Sequence, residues 1–123
     1  MAVMTTPEPN VIEPKSICEL PHLLARSHVL NVTLEGEFIS DRMERSLIQD
    51  ERCPDIVIAP YDGPRTIKDD VYKVFDGILN ADSLQLILVK AYVKVHGTLR
   101  KETHNRYRLD VIRYIEVTDR TER

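Results

Sequence analysis

The chain has no tryptophan and only four glycines, two phenylalanines and two cysteines in 123 residues. Each scarcity removes a class of reading. With aromatics at 6% and no tryptophan, little remains for the aromatic stacking platform of a dedicated single-strand binder. The glycines form no phosphate-cradling loop, and neither G-x-S-x-G nor H-E-x-x-H occurs. No run of about 18 apolar residues exists, and Leu84 to Val89 is too short to cross a membrane. Neither cysteine lies in a C-x-x-C pair or at metal-ligand spacing from a histidine. Cys18 and Cys53 are therefore either two buried free thiols or one disulfide, and a disulfide would require an oxidising compartment.

The charge is balanced overall but unevenly spread. The chain has 17 Lys and Arg against 20 Asp and Glu, a formal net charge of −3. Residues 90 to 114 hold seven cations (Lys90, Lys94, Arg100, Lys101, Arg106, Arg108, Arg113) against Glu102 and Asp110. A basic hairpin on an acidic body is the result. It is modest beside the footprint of a dedicated nucleic-acid binder.

The length fits one domain, large enough to bury roughly two-thirds of its unfolded surface without metal or disulfide support. Residues 1–15, with Pro7, Pro9 and Pro14, read as a flexible tail, residues 16–119 as the domain and residues 120–123 as a C-terminal tail. No charged n-region followed by an apolar h-region is visible, which reads as cytoplasmic and leaves export open.

Lys90 to Val117 organises the pattern. Ala91, Val93, Val95, Gly97 and Leu99 alternate with Lys90, Tyr92, Lys94, His96, Thr98 and Arg100, the period of a strand with one buried face. Lys101 to Asn105 reads as a polar hairpin loop. The return strand places Tyr107, Leu109, Val111, Ile115 and Val117 inward, but Arg113 then points inward too. A bulge near Ile112 to Tyr114 resolves the conflict.

Upstream, Ile17, Leu20, Leu23 and Leu24 fall at helical spacing, and Pro21 divides them into two short turns. His28 to Ser40 alternates as a strand, with Gly36 marking a bulge or sharp bend. Met43 to Asp50 is a weaker strand. Ile56 to Ala59 is a short buried one that Pro60 ends. Thr66 caps an amphipathic helix from Ile67 to Leu79, whose stripe is Ile67, Val71, Val74, Phe75, Ile78 and Leu79.

Three strands, a helix and two strands is the element order of the OB-fold. Val32 to Phe38, with its mid-strand glycine, resembles the first OB strand, Tyr92 to Leu99 the fourth and Tyr107 to Val117 the fifth. The layout also resembles a group of uncharacterised small bacterial domains. These carry an "Ile-Cys-Glu-Leu"-type segment (Ile17 to Leu20), a V-x-V-x-G-x-F/Y strand and a "Cys-Pro-Asp" loop (Cys53 to Asp55). Many of its members look exported, and no catalytic residues carry over from it. The expectation is a mainly β fold: a five-stranded, OB-like antiparallel barrel with one helix between strands three and four.

For function, His22, His28, His96 and His104 with Glu35, Glu37, Asp41 and Asp110 are the acid/base candidates, but no motif links them. His96 and His104 flank the hairpin loop without a third ligand. No catalytic residue, metal or cofactor is expected. The outward set Lys90, Tyr92, Lys94, His96, Arg100, Arg106, Arg108 and Tyr114 is the candidate binding surface. Arg42, Arg45, Tyr61 and Tyr107 are further anchors of the types that protein interfaces use. The reading is a non-catalytic module binding a protein partner or a second copy through the basic hairpin. Single-stranded nucleic acid on the same face is the alternative.

Overall fold

A computed structural model describes residues 15–25, 27–41, 45–61, 70–80 and 88–122. Six strands occur among them: β1 Lys15–Ser16, β2 Val29–Ser40, β3 Ser46–Gln49, β4 Val57–Tyr61, β5 Val89–Thr103 and β6 Arg106–Asp119. A 3-10 turn Ile17–Glu19 and a short helix α1 Leu20–Leu23 precede β2, and helix α2 Asp70–Asn80 lies between β4 and β5. The fold is mainly β. Five strands join in the order β2-β3-β4-β6-β5, and β5 pairs back to β2, so the hydrogen bonds run in a ring. The two-residue β1 adds to the outer flank of β2.

The sheet is mixed, which corrects the antiparallel expectation. β4 runs parallel to β6, from Val57↔Arg106 to Tyr61↔Asp110, and β1 runs parallel to β2. The connection from β4 to β6 passes through α2 and β5, and such a long path permits parallel neighbours. The helix expectation also shifts. Its described part runs from Asp70 to Asn80, one residue beyond Leu79, while Ile67 and the Thr66 cap lie outside the described residues.

β5 shows the alternation in full. Ala91, Val93, Val95 and Leu99 are completely buried, Gly97 is buried with them, and the alternate residues Tyr92, Lys94, His96 and Thr98 are half-buried. β2 lies against it along its whole length, from Val29↔Arg100 to Ser40↔Val89. The other flank of β5 pairs with β6 from Ala91↔Asp119 to Thr103↔Arg106. The expected five-residue loop is shorter than the sequence suggests. β5 extends to Thr103, and His104-Asn105 alone make the turn, with Asn105 at φ 60°. Asparagine tolerates that left-handed geometry better than most residues.

The expected bulge is present, and it is one of three register shifts along the β5–β6 ladder, two of which skip a residue of β6. Gly97 faces Val111 while His96 faces Arg113, so Ile112 is skipped; Val95 faces Tyr114 while Lys94 faces Glu116, so Ile115 is skipped. The first shift turns Arg113 outward and Tyr114 inward, beside the buried Val95. A Cβ on Gly97 would run into the carbonyl oxygen of Asp110, so the close approach of β6 needs a glycine here. Gly36 serves a different purpose from the expected bulge. The β2–β5 register runs unbroken past it, and a Cβ there would lie 2.7 Å from Cδ1 of Ile17 and 2.9 Å from the carbonyl oxygen of Gln49.

Two more expectations move. Pro60 does not end β4 but sits within it, opposite Leu109. β4 meets β3 at one pair only, Ile48↔Ile58, so β4 has little ladder on that side for a missing N–H to break. β3 is shorter than Met43 to Asp50, and its expected start lies outside the described residues.

The core fills the ring. Phe75 of α2 is fully buried, 4.7 Å edge-on from Phe38 of β2 and 4.6 Å from Tyr114 of β6, centroid to centroid. Tyr72 stacks on the Tyr114 ring at 6.2 Å. Val71, Tyr72 and Leu79 pack against the same core, whereas Val74 is 56% exposed. The helix therefore presents a narrower stripe than the sequence suggests. The two cysteines are not buried thiols: Cys18 and Cys53 form a disulfide with Cα atoms 5.6 Å apart.

Two pairs of substitutions test this packing by urea unfolding. Gly97→Ala is expected to cost about 2–3 kcal/mol, and Gly77→Ala, in open space within a helix, to add about 0.5–1 kcal/mol. Phe75→Ala is expected to cost about 3–5 kcal/mol and Val74→Ala to stay within about 0.5 kcal/mol of wild type.

Candidate functional site

The outward face of β5 carries most of the candidate residues, because its inward positions belong to the core. β2 and β6 decide what each of them meets. Glu37, Glu35, Thr33 and Asn31 stand opposite Tyr92, Lys94, His96 and Thr98 on one flank. Glu116, Arg113, Asp110 and Arg108 stand opposite Lys94, His96, Thr98 and Arg100 on the other. Lys94 Nζ lies 3.7 Å from Glu35 Oε1 and 3.8 Å from Glu116 Oε2. The Tyr92 hydroxyl donates to Glu35 at 2.5 Å, and Thr98 donates to Asn31 at 2.9 Å. His96 Nδ1 is hydrogen-bonded to Thr33 Oγ1 at 3.0 Å. The middle of this face is thus a row of cross-strand hydrogen bonds around one lysine that two glutamates pair, not a basic strip. The local charge count misses this because Glu35 comes from a strand some sixty residues earlier and Glu116 lies just past the stretch from 90 to 114.

At the closed end of the hairpin the balance differs. Arg100, Lys101, Arg106 and Arg108 gather there against Asp110 and Glu102. Arg100 and Arg108 both reach Asp110, at 3.2 and 2.9 Å. The Arg108 guanidinium also lies 4.0 Å above the ring of Tyr61, which is 53% exposed. Lys101 and Arg106 are exposed and have no ion-pair partner among the described residues.

Two candidates leave the surface. Tyr114 and Tyr107 are 1% and 2% exposed, so neither can touch a partner. The bulge at Ile112 changes which side of β6 faces inward, and Tyr114 becomes core. Burial also raises the pKa of Tyr107. Arg45 is exposed, and Arg42 lies outside the described residues. His96 and His104 are not brought together: His96 sits in the middle of β5 and His104 in the turn just past its end, more than about 20 Å apart at the usual rise. Lys90 is fixed at the other end of β5, where Thr121 bonds both its N–H and its carbonyl oxygen.

That other end holds a groove of about 350 Å³ that sequence reasoning did not find. Glu35, Glu37, Gln49, Asp50, Arg52 and Tyr92 line it, with Arg120 from the C-terminal segment. Only the β2–β3–β5 register brings these residues together, so no local pattern signals them. Arg52 grips Asp50, with Nη2 to Oδ2 at 2.6 Å, and this bond holds the Asp50 carboxyl below the usual carboxylate range. Arg120 lies 5.3 Å over the Tyr92 ring. Burial first, and then the bond to Glu35, push the Tyr92 pKa up to about 12. Sulfurs of Cys18 and Cys53 lie within 4.8 Å of an Asp50 oxygen. With the sulfurs bridged and Asp50 engaged by Arg52, this trio offers a cation no thiolate.

Comparison with family models, with curated proteins and with solved structures gives no match to this chain.

The raised Tyr92 pKa fixes a pH dependence. Folding favours the neutral phenol, so this stabilisation is complete below about pH 10 and is lost as pH rises towards about 12. Alkaline unfolding curves should show the loss in wild type and a smaller one in Tyr92→Phe. Glu35→Gln should bring the tyrosinate absorbance transition of Tyr92 to lower pH.

Proposed function

We propose that this chain is a non-catalytic binding module whose hairpin tip takes an acidic segment of a partner protein. The observation that carries the proposal is the cluster of Arg100, Lys101, Arg106 and Arg108 beside the exposed Tyr61. It joins surplus positive charge to an aromatic face that Arg108 already braces. Arginine and tyrosine are the residue types that anchor protein interfaces, and paired guanidinium groups recognise carboxylates well. Of the remaining candidates, Tyr92, Lys94 and His96 are tied to Glu35, Glu116 and Thr33 along the middle of β5, and Lys90, whose backbone Thr121 holds, lies at its far end, away from this surface.

The strand order supports an OB-type barrel, the fold that the sequence resembles. Counted along the chain, the ring strands are β2, β3, β4, β5 and β6, and α2 falls between the third, β4, and the fourth, β5, which agrees with that reading. OB-type barrels bind through their second and third strands and through the loops after the first and fourth. Here the third strand of the ring ends at Tyr61, and the fourth leads into the basic tip. Single-stranded nucleic acid would use the same location. It favours several exposed aromatics for successive bases, and with Tyr114 in the core and Tyr92 bonded to Glu35, Tyr61 stands nearly alone. The disulfide further suggests work in an oxidising compartment.

Fluorescence anisotropy with a labelled glutamate-rich peptide and a labelled oligo-dT of equal length tests the reading. The peptide is expected to bind wild type, with at least a tenfold loss of affinity in Lys101→Glu/Arg106→Glu. Peptide binding that ignores this charge reversal, or no peptide binding at low salt, would overturn it. Salt-sensitive binding of oligo-dT alone would transfer the surface to nucleic acid.

A further inference from the structure

We infer that the Cys18–Cys53 disulfide is a reducible latch, which holds the segment 15–24 over one end of the ring and releases it when a dithiol reductant opens the bond. The inference does not depend on the partner proposed for the hairpin tip.

Residues 15–24 form a strap. Ile17 and Leu20 are fully buried and Leu24 is 5% exposed, so the strap closes part of the core. The side chain of Ile17 seats against Gly36 and Ile48. Its own turns are internally capped: Cys18 N–H donates to Ser16 Oγ, and Ser16 N–H donates to the Glu19 carboxylate. Those bonds shape the strap but do not attach it. Among the described residues, attachment rests on the two β1–β2 pairs, the three buried apolar side chains with Leu23 packed partly buried beside them, a long 3.5 Å hydrogen bond from Arg52 to Ser16 and the disulfide. Fixing ten residues costs conformational entropy of the same order as that burial returns. A covalent tie spanning 35 residues decides the balance.

The two ends of the bridge differ in access. Cys18 is exposed, while Cys53 is half-buried and packs against the core. The loop of Cys53 is held on its own account, by Cys53 N–H to Asp50 O and Ile56 N–H to Cys53 O. A reductant therefore meets Cys18 first. A thiolate of the dithiol attacks Sγ of Cys18, the new S–S bond forms as the Cys18–Cys53 bond breaks, and Cys53 leaves as a thiolate that takes up a proton. The second thiol of the reductant, losing its proton, then displaces Cys18. The protein disulfide gains two electrons and two protons, and the dithiol becomes a disulfide. Release of the strap uncovers the Gly36–Ile48 surface and the outer flank of β2 at Leu34 and Glu35, where β1 had paired.

Amide hydrogen exchange on the full chain, with and without dithiothreitol, reads the latch directly. In the reduced protein, amides of 17–24 are expected to exchange at least a hundredfold faster, while those of Val93, Val95 and Leu109 keep their protection. Cys18→Ser/Cys53→Ser should reproduce this pattern without reductant. Three results would overturn the inference: a bond that dithiothreitol leaves intact in the folded protein, a strap that stays protected after reduction, or protection lost from strap and ring together.

Discussion

Everything in this fold depends on β5 being paired on both flanks at once. Twelve residues of β2 lie along one side of it, and β6 lies along the other. A strand so placed has no free edge along most of its length, and its side chains have two faces only. Ala91, Val93, Val95 and Leu99 face inward, and Gly97 yields the space that β6 needs. The other ring contacts are slighter. β3 is four residues long and meets β4 at a single pair. Phe75 completes the enclosure by packing on Phe38 and Tyr114, which belong to the two flanking strands.

The same double pairing determines the surface chemistry. Lys94 sits between a glutamate of β2 and a glutamate of β6, and its charge is spent within the sheet. Solvent-exposed pairs of this kind contribute little stability each, about 0–1 kcal/mol. Their larger effect is on recognition, because they offset the lysine charge at the middle of the central strand. Towards the turn β2 has ended and β6 offers only Asp110 to two arginines. Positive charge survives there for a geometric reason. The groove near Tyr92 is the counterpart, where Glu35, Glu37, Asp50 and Arg52 meet at the opposite end of the same strand.

The sequence made β5, β2 and the amphipathic helix legible because each is a periodic pattern within one segment. The bulge in β6 was legible for a related reason: Arg113 in an inward position is a conflict that one extra residue removes. Which residue turned inward as a result was not legible. The choice of Tyr114 over Ile115 depends on register against Val95 and on a second skipped residue. The parallel β4–β6 pair and the placing of Pro60 are likewise properties of neighbours, not of the segment itself. So is the disulfide: 35 residues of separation carry no geometry until β2 and β3 bring the two loops together. The candidate surface fared according to the same rule. Outward positions on β5 were found, and the acids that neutralise them were not.

Cross-strand proton–proton contacts measured by NMR test the double pairing most directly. The account predicts contacts from Val93 to Gly36 of β2 and to Val117 of β6 in the same molecule, with parallel contacts between Ile58 and Tyr107 completing the ring. A β5 that shows contacts to β6 alone, with its β2 flank open to solvent, would contradict it.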